Sequence, residues 1–316
     1  MTSAAGKLGH ALRAGGVTPV LAAAFLWGTV GPAQILAHSS ATPAAIGACR
    51  MLLGGLVLGL ITARPAGVRS LWQPGRRGWM AVSVLVTAAF QVCFLEAVDR
   101  EGAALATAVT FGTVPVVSGL CGRALAGERL GGAWACGTVC AVAGIALLLL
   151  PADGQSADST GVLLGAVAGA SFGVYIAATK QLGQRGADTA AAAPVSVFGA
   201  GVLALPWALA DPDGLAGPRA LLLIGWLALG TTTLGYLLFT WGVTRISGAR
   251  AGTLSLAEPL VATVLGVLLL GERPGAPAVA GSALLLGGLV LVSLPARRPG
   301  RPAPAPSAVT GADRRR

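Results

Sequence analysis

Ten apolar stretches of roughly twenty residues follow one another through this chain, at about 19–37, 43–63, 78–98, 102–123, 131–151, 160–180, 189–210, 218–241, 248–270 and 277–295. About 20 apolar residues in helical form cross the hydrocarbon core of a bilayer. Inside it every backbone N–H and C=O needs a partner within the protein, so only helices and closed barrels can span. A barrel strand alternates apolar and polar residues; these stretches do not. The chain is therefore expected to be an all-α integral membrane protein with ten transmembrane helices. Composition agrees: only 11% of the 316 residues are charged, against about 25% in an ordinary soluble domain.

Lysine and arginine set the expected orientation. Of 22, three (Arg100, Arg219 and Arg273) fall in one set of connections, Arg50 lies inside a span, and the other 18 fall in the opposite connections and the tails. Cytoplasmic connections collect Lys and Arg, so both termini are expected inside, with tails at 1–18 and 296–316. The net charge of +10 is thus a topology signal, and no nucleic-acid partner is expected. The second tail, rich in Pro, Ala and Arg, is expected to be disordered and to touch anionic lipid headgroups.

The chain repeats itself. An offset of 145 sets Trp27-Gly28 on Phe172-Gly173, Phe94 on Phe239 and Arg100 on Arg245; a one-residue adjustment then sets Pro115 on Pro259. Pro115 and Pro259 each precede a Gly-Glu-Arg triplet by the same interval. Five helices per unit is an odd number, so the second unit, 160–295, must enter the membrane upside down relative to the first, 19–151. Inverted repeats of this kind build many secondary transporters, with the site near mid-membrane between the halves.

Polar residues inside spans need a partner or a cavity. Ser83, Thr87 and Gln91 share a face of helix 3, and their repeat mates include Thr232 and Tyr236 of helix 8, which continues to Thr240. Helix 6 adds Ser171, Tyr175 and Thr179, and helix 1 adds Trp27 and Gln34. One shared central cavity explains these stripes; hydroxyls bonding back to their own helix carbonyls would also do so. Glu258 lies near the middle of helix 9, with Ser255 one turn earlier. It is expected either to couple protons or hold cargo, or else to pair structurally with Arg50. Glu96, beside Asp99, Arg100 and Glu101, reads as a solvated rim residue.

Pro32, Pro115 and Pro259 are expected to bend helices 1, 4 and 9, since proline removes an i→i−4 bond. Gly161, Gly165, Gly169 and Gly173 form a ladder along helix 6 suited to close helix contact. The five cysteines, Cys49, Cys93, Cys121, Cys136 and Cys140, have no metal-ligand or disulfide spacing, so no metal or cofactor is expected. No phosphate-binding GxxxxGK[ST] loop occurs, so ATP is not the expected driving force. An intramembrane lipid-modifying enzyme would need an acid–histidine cluster, and the histidines are His10 and His38. A non-transporting scaffold is the other reading left open.

FLWGTVGPA in helix 1, the arginine of PAAIGACRMLLGGL, LAGERL at the end of helix 4, and SLAEPLVATVLGVLLLGERP stand in this order. On these motifs the chain resembles the EamA family of the drug/metabolite transporter superfamily over 19–151 and 160–295. The resemblance implies two inverted five-helix units, a plasma-membrane location, and export of small metabolites such as amino acids, or of drugs, through a cavity lined from both halves. Two departures stand out: no Glu precedes Pro115, and helix 7 lacks an arginine. Glu258 therefore has no twin.

Overall fold

A computed structural model of the chain describes residues 15–148, 158–271, 273 and 275–293. Residues 1–14 and the tail expected at 296–316 lie outside the described residues, as does Glu272. Every regular element among the described residues is helical. Nine helical stretches are long and apolar enough to cross a membrane, and a tenth is shorter. We label them α1 Val17–Ala37, α2 Pro43–Thr62, α3 Arg77–Arg100, α4 Leu105–Ala126, α5 Gly132–Leu148, α6 Ser159–Gln184, α7 Thr189–Ala210, α8 Pro218–Val243, α9 Gly248–Leu270 and α10 Ala276–Ser293. This is the ten-helix fold expected from the apolar stretches. A short helix, Pro65–Leu71, joins α2 to α3.

The helical assignment runs on from Arg77 to Ala126, but the two spans within it, α3 and α4, are separated at residues 101–104, where the sequence leads one to expect a break. Fifty straight residues would reach about 75 Å, whereas the 26 residues of α6 reach about 39 Å. Both ends of the long run nevertheless meet the same end of α6. Arg76 Nε donates to the Arg185 carbonyl at 2.9 Å, and Gln181 Nε2 donates to the Leu125 carbonyl at 3.0 Å. Its middle lies at the other end of α6, where Arg100 stands 3.7 Å from Asp158, the N-cap of α6. The run is thus a helical hairpin, with α3 and α4 antiparallel. Arg100 also pairs with Glu96 at 2.8 Å, both half exposed.

The same bonds sort the helix ends. Lys180 Nζ donates to the Ile246 carbonyl, Trp134 Nε1 to the Ala249 carbonyl, and Arg250 to the Val292 and Ser293 carbonyls. The start of α1 lies against Gly242, and Thr62 Oγ1 donates to the Ala190 carbonyl. One end of the bundle, hereafter the basic end, therefore gathers Arg76, Lys180, Arg185, Arg245 and Arg250. Arg100, Arg219 and Arg273 belong to the far end. Because α1 starts at the basic end and α6 at the far end, the two five-helix units run in opposite senses.

Glycines let several helices touch backbone to backbone. The α6 ladder packs on α4: a methyl carbon on Gly173 would lie 3.0 Å from Ser118 N, and Thr110 Oγ1 donates to the Gly165 carbonyl at 3.0 Å. The α5–α10 pair is tighter still. A methyl carbon on Gly144 would lie 2.5 Å from Leu285 N, and one on Gly281 2.5 Å from Leu148 N. Small residues at such interfaces replace the hydrophobic driving force that lipid does not supply. Gly144→Leu is expected to destabilise the protein by about 3 kcal/mol through overpacking. An unchanged thermal midpoint in detergent would show that α5 and α10 do not pack this way.

Candidate functional site

Three helices lose regularity at the same depth. In α9 the α-helical segments Gly248–Leu254 and Ala257–Leu270 are separated at Ser255 and Leu256. The cause is Pro259, which has no N–H to offer the carbonyl four residues back, that of Ser255. Glu258 N instead closes a tighter bond to the Ser255 carbonyl at 3.1 Å. In α1 the helix is interrupted at Thr29, three residues before Pro32. By contrast α4 stays helical through Pro115, so the expected bend there does not interrupt the helix. In α8, residues Leu227–Leu234 form a π-helix, a form found frequently at functional sites. Trp27 Nε1 donates to the Thr231 carbonyl within it at 2.9 Å in a buried setting.

The interrupted α1 and α9 meet. A methyl carbon on Gly28 would lie 2.7 Å from the Glu258 carbonyl oxygen, so only glycine permits that approach. The break also turns Glu258 into a first-turn residue of the second α9 segment, where the helix dipole favours negative charge.

Around this crossing lies a cavity of about 300 Å³, whose lining includes Trp27, Gln34, Arg50, Gln91, Tyr236 and Glu258. Arg50 Nη2 donates to Gln91 Oε1 at 3.3 Å. Gln91 is seated there because Gly47 has no side chain: a methyl carbon would fall 2.6 Å from Gln91 Nε2. Among the described residues no ion pair within 4.0 Å joins Arg50 to Glu258, so the two opposite charges face one space without closing on each other. Trp27 forms part of an aromatic cluster, with ring centroids 5.8 Å from Phe172, 5.5 Å from Tyr236 and 5.1 Å from Phe239.

Of the residues singled out in the sequence, Trp27, Gln34, Arg50, Gln91, Tyr236, Glu258 and Pro259 line this cavity. Thr87 does not; its hydroxyl donates to the Ser83 carbonyl at 2.7 Å, as Ser255 does to the Ala251 carbonyl at 3.0 Å. Ser83 instead bonds Ser196 of α7 at 2.7 Å. Ser171, Tyr175 and Thr232 are buried outside the lining, and Pro32 and Pro115 lie within helices and are not among the lining residues. Sequence reasoning missed Phe90, Phe94, Thr107 and Phe111 of the α3–α4 hairpin, which also line the cavity. Phe90 and Phe94, four residues apart, carried the only advance signal. The five cysteines are free.

A family profile described as the EamA-like transporter family matches residues 14–150 and again 159–294. The chain belongs to the EamA-like transporter family. Among similar proteins, the transporter YwfM of Bacillus subtilis (strain 168), named uncharacterized, is 36% identical over 282 residues, covering 88% of this chain and 94% of that protein. Protein PA1977 of Pseudomonas aeruginosa (strain PAO1) is 34% identical, covering 78% and 83%. The inner membrane transporter YicL of Salmonella typhimurium (strain LT2) is 27% identical, covering 90% and 96%. A crystal structure aligns with a TM-score of 0.76 at 22% identity, covering 88% of this chain and 96% of its own, which establishes the shared fold. This EamA-type protein is therefore a multi-pass membrane transporter, and its small-molecule cargo is sought in the cavity described above.

Proposed function

We propose that this EamA transporter exports small zwitterionic metabolites, amino acids or their close relatives, by alternating access between the units 19–151 and 160–295. The observation that carries the reading is the placement of Arg50 and Glu258 in the lining of one aromatic-walled cavity at the crossing of two interrupted helices. The guanidinium complements a carboxylate, which it can meet with paired N–H donors. Glu258 complements an ammonium group, and the Trp27 and Phe90 rings suit an apolar side chain. The site as a whole is charge-balanced, so it favours a cargo bearing both signs over a polyanion. A proton taken up by Glu258 when the ammonium leaves would couple transport to the proton gradient. The basic end fits the cytoplasmic side of the plasma membrane, near anionic lipid, which makes both termini cytoplasmic and the cavity outward-facing in this conformation.

A ligand that binds only the folded state stabilises it by RT ln(1 + [L]/Kd), about 2.7 kcal/mol at 100 times Kd. The test is therefore a thermal-shift series on the purified protein, followed by efflux from loaded proteoliposomes. Amino acids with apolar side chains are expected to raise the midpoint, and their amides and decarboxylated amines are not. Cationic drugs acting alone, through Glu258 and the aromatic wall, would favour multidrug efflux instead. No stabilisation by any of these would remove the zwitterion reading.

A further inference from the structure

Between the cavity and the basic end the protein is sealed. Tyr175, Ile176, Phe239, Val243, Ile246 and Leu254 are each less than a tenth exposed and stack behind the Trp27 cluster. At the end of this seal sits Glu128, directly after the glycine that caps α4. Its carboxylate joins three elements at once. Oε1 accepts from Gly248 N at 2.8 Å, Oε2 accepts from Ala249 N at 3.3 Å, and Lys180 Nζ stands 3.2 Å away. The same ammonium donates to the Ile246 carbonyl at 2.6 Å. Gly122 makes room for the carboxylate, since a methyl carbon there would lie 2.4 Å from Oε2. Glu128 belongs to the first unit; Lys180, Ile246, Gly248 and Ala249 belong to the second.

A second, independent observation concerns the sealed half itself. The Thr232 hydroxyl is buried with no hydrogen-bond partner among the described residues, and the hydroxyls of Tyr175 and Thr240 lie close together in the same sealed half. Buried polar groups are rarely left unpaired, and each exception asks for a reason. Water or cargo reaching this half in another conformation supplies one.

We infer that the Glu128–Lys180 pair, with the two backbone amides of α9, is the latch of the inner gate, and that the hydroxyls behind it line the closed half of the path. The inference rests on the alternating-access reading above but not on the identity of the cargo. The latch has no repeat mate: the residue related to Lys180 by the offset of 145 is Ile35. Releasing the latch shifts the population from outward-open toward inward-open.

The experiment uses the full chain with the five cysteines replaced by serine, carrying Thr240→Cys as an inner reporter or Gln34→Cys as a cavity reporter. A membrane-impermeant maleimide is applied to inside-out vesicles for the first and to right-side-out vesicles for the second. Adding Lys180→Met, which leaves the backbone bonds to Glu128 in place, is expected to raise Thr240→Cys labelling roughly tenfold and to lower Gln34→Cys labelling, as a population shift requires. Glu128→Gln is expected to act in the same direction. Unchanged labelling at both reporters, or a rise at both, would overturn the latch. If Glu128→Gln does not fold, Lys180→Met alone decides. Labelling needs no cargo, so the zwitterion reading fails separately, in the thermal-shift series.

Discussion

Glu258→Gln is expected to lower transport at least about 30-fold while the protein inserts and folds normally, because removing the carboxylate that meets a cargo ammonium in a desolvated site costs about 2–5 kcal/mol and each 1.4 kcal/mol is tenfold. The substitution keeps the size and the hydrogen-bonding reach of the side chain and removes only its charge. No hydrogen bond holds the Glu258 carboxylate to other described side chains, and no ion pair within 4.0 Å holds it to Arg50, so the folded state has little to lose. The loss should fall on cargo carrying an ammonium group and on any dependence of the rate on pH, since Glu258 is the carboxylate that lines the cavity. Efflux assays across a pH series, normalised to the amount of protein in the membrane, check this. Wild-type rates with an unchanged pH profile would remove Glu258 from both roles.

Trp27→Ala is expected to be the most destabilising single truncation in the chain, at about 3–5 kcal/mol. The indole touches rings from α6 and α8 together. Its N–H also donates to the Thr231 carbonyl in the π-helical segment of α8, a buried hydrogen bond whose loss costs about 1 kcal/mol by itself. Trp27→Phe separates the two contributions, because it keeps most of the ring and deletes the donor. Thermal unfolding of both variants in detergent gives the numbers. A loss below about 1 kcal/mol for Trp27→Ala would mean that the cluster repacks and that α1 is not held through this residue.

Ten helices and an upside-down repeat were legible because hydrophobic length and arginine placement are local and summed over many residues. The polar stripes were only half legible. Period-four spacing identifies a face of a helix but not what that face meets. Thus Gln91 reaches the cavity while Thr87, on the same face, turns back to its own helix. The Glu258 environment was hidden for a different reason. Pro259 signals a bend, but only the backbone shows that the break falls at Ser255 and Leu256, making Glu258 a helix-start residue that faces Gly28 of α1. The pairing expected between Arg50 and Glu258 followed from their being the only opposite charges deep in spans. Gln91 holds the guanidinium instead, an arrangement that depends on the missing side chain of Gly47 and leaves no trace in charge patterning. The tight turn between α3 and α4 was legible too, since the stretches expected at 78–98 and 102–123 leave only a few residues between them, as the structure does at 101–104.

That turn has a mechanical consequence. With only residues 101–104 between them, α3 and α4 have little slack and are tied closely to each other. Gln91 on one arm sits at the cargo chamber, and Glu128 hangs just beyond the tip of the other. Under the alternating-access reading, a tilt of one arm is then passed to the other, with the interrupted segments of α1 and α9 as the places where the bundle flexes.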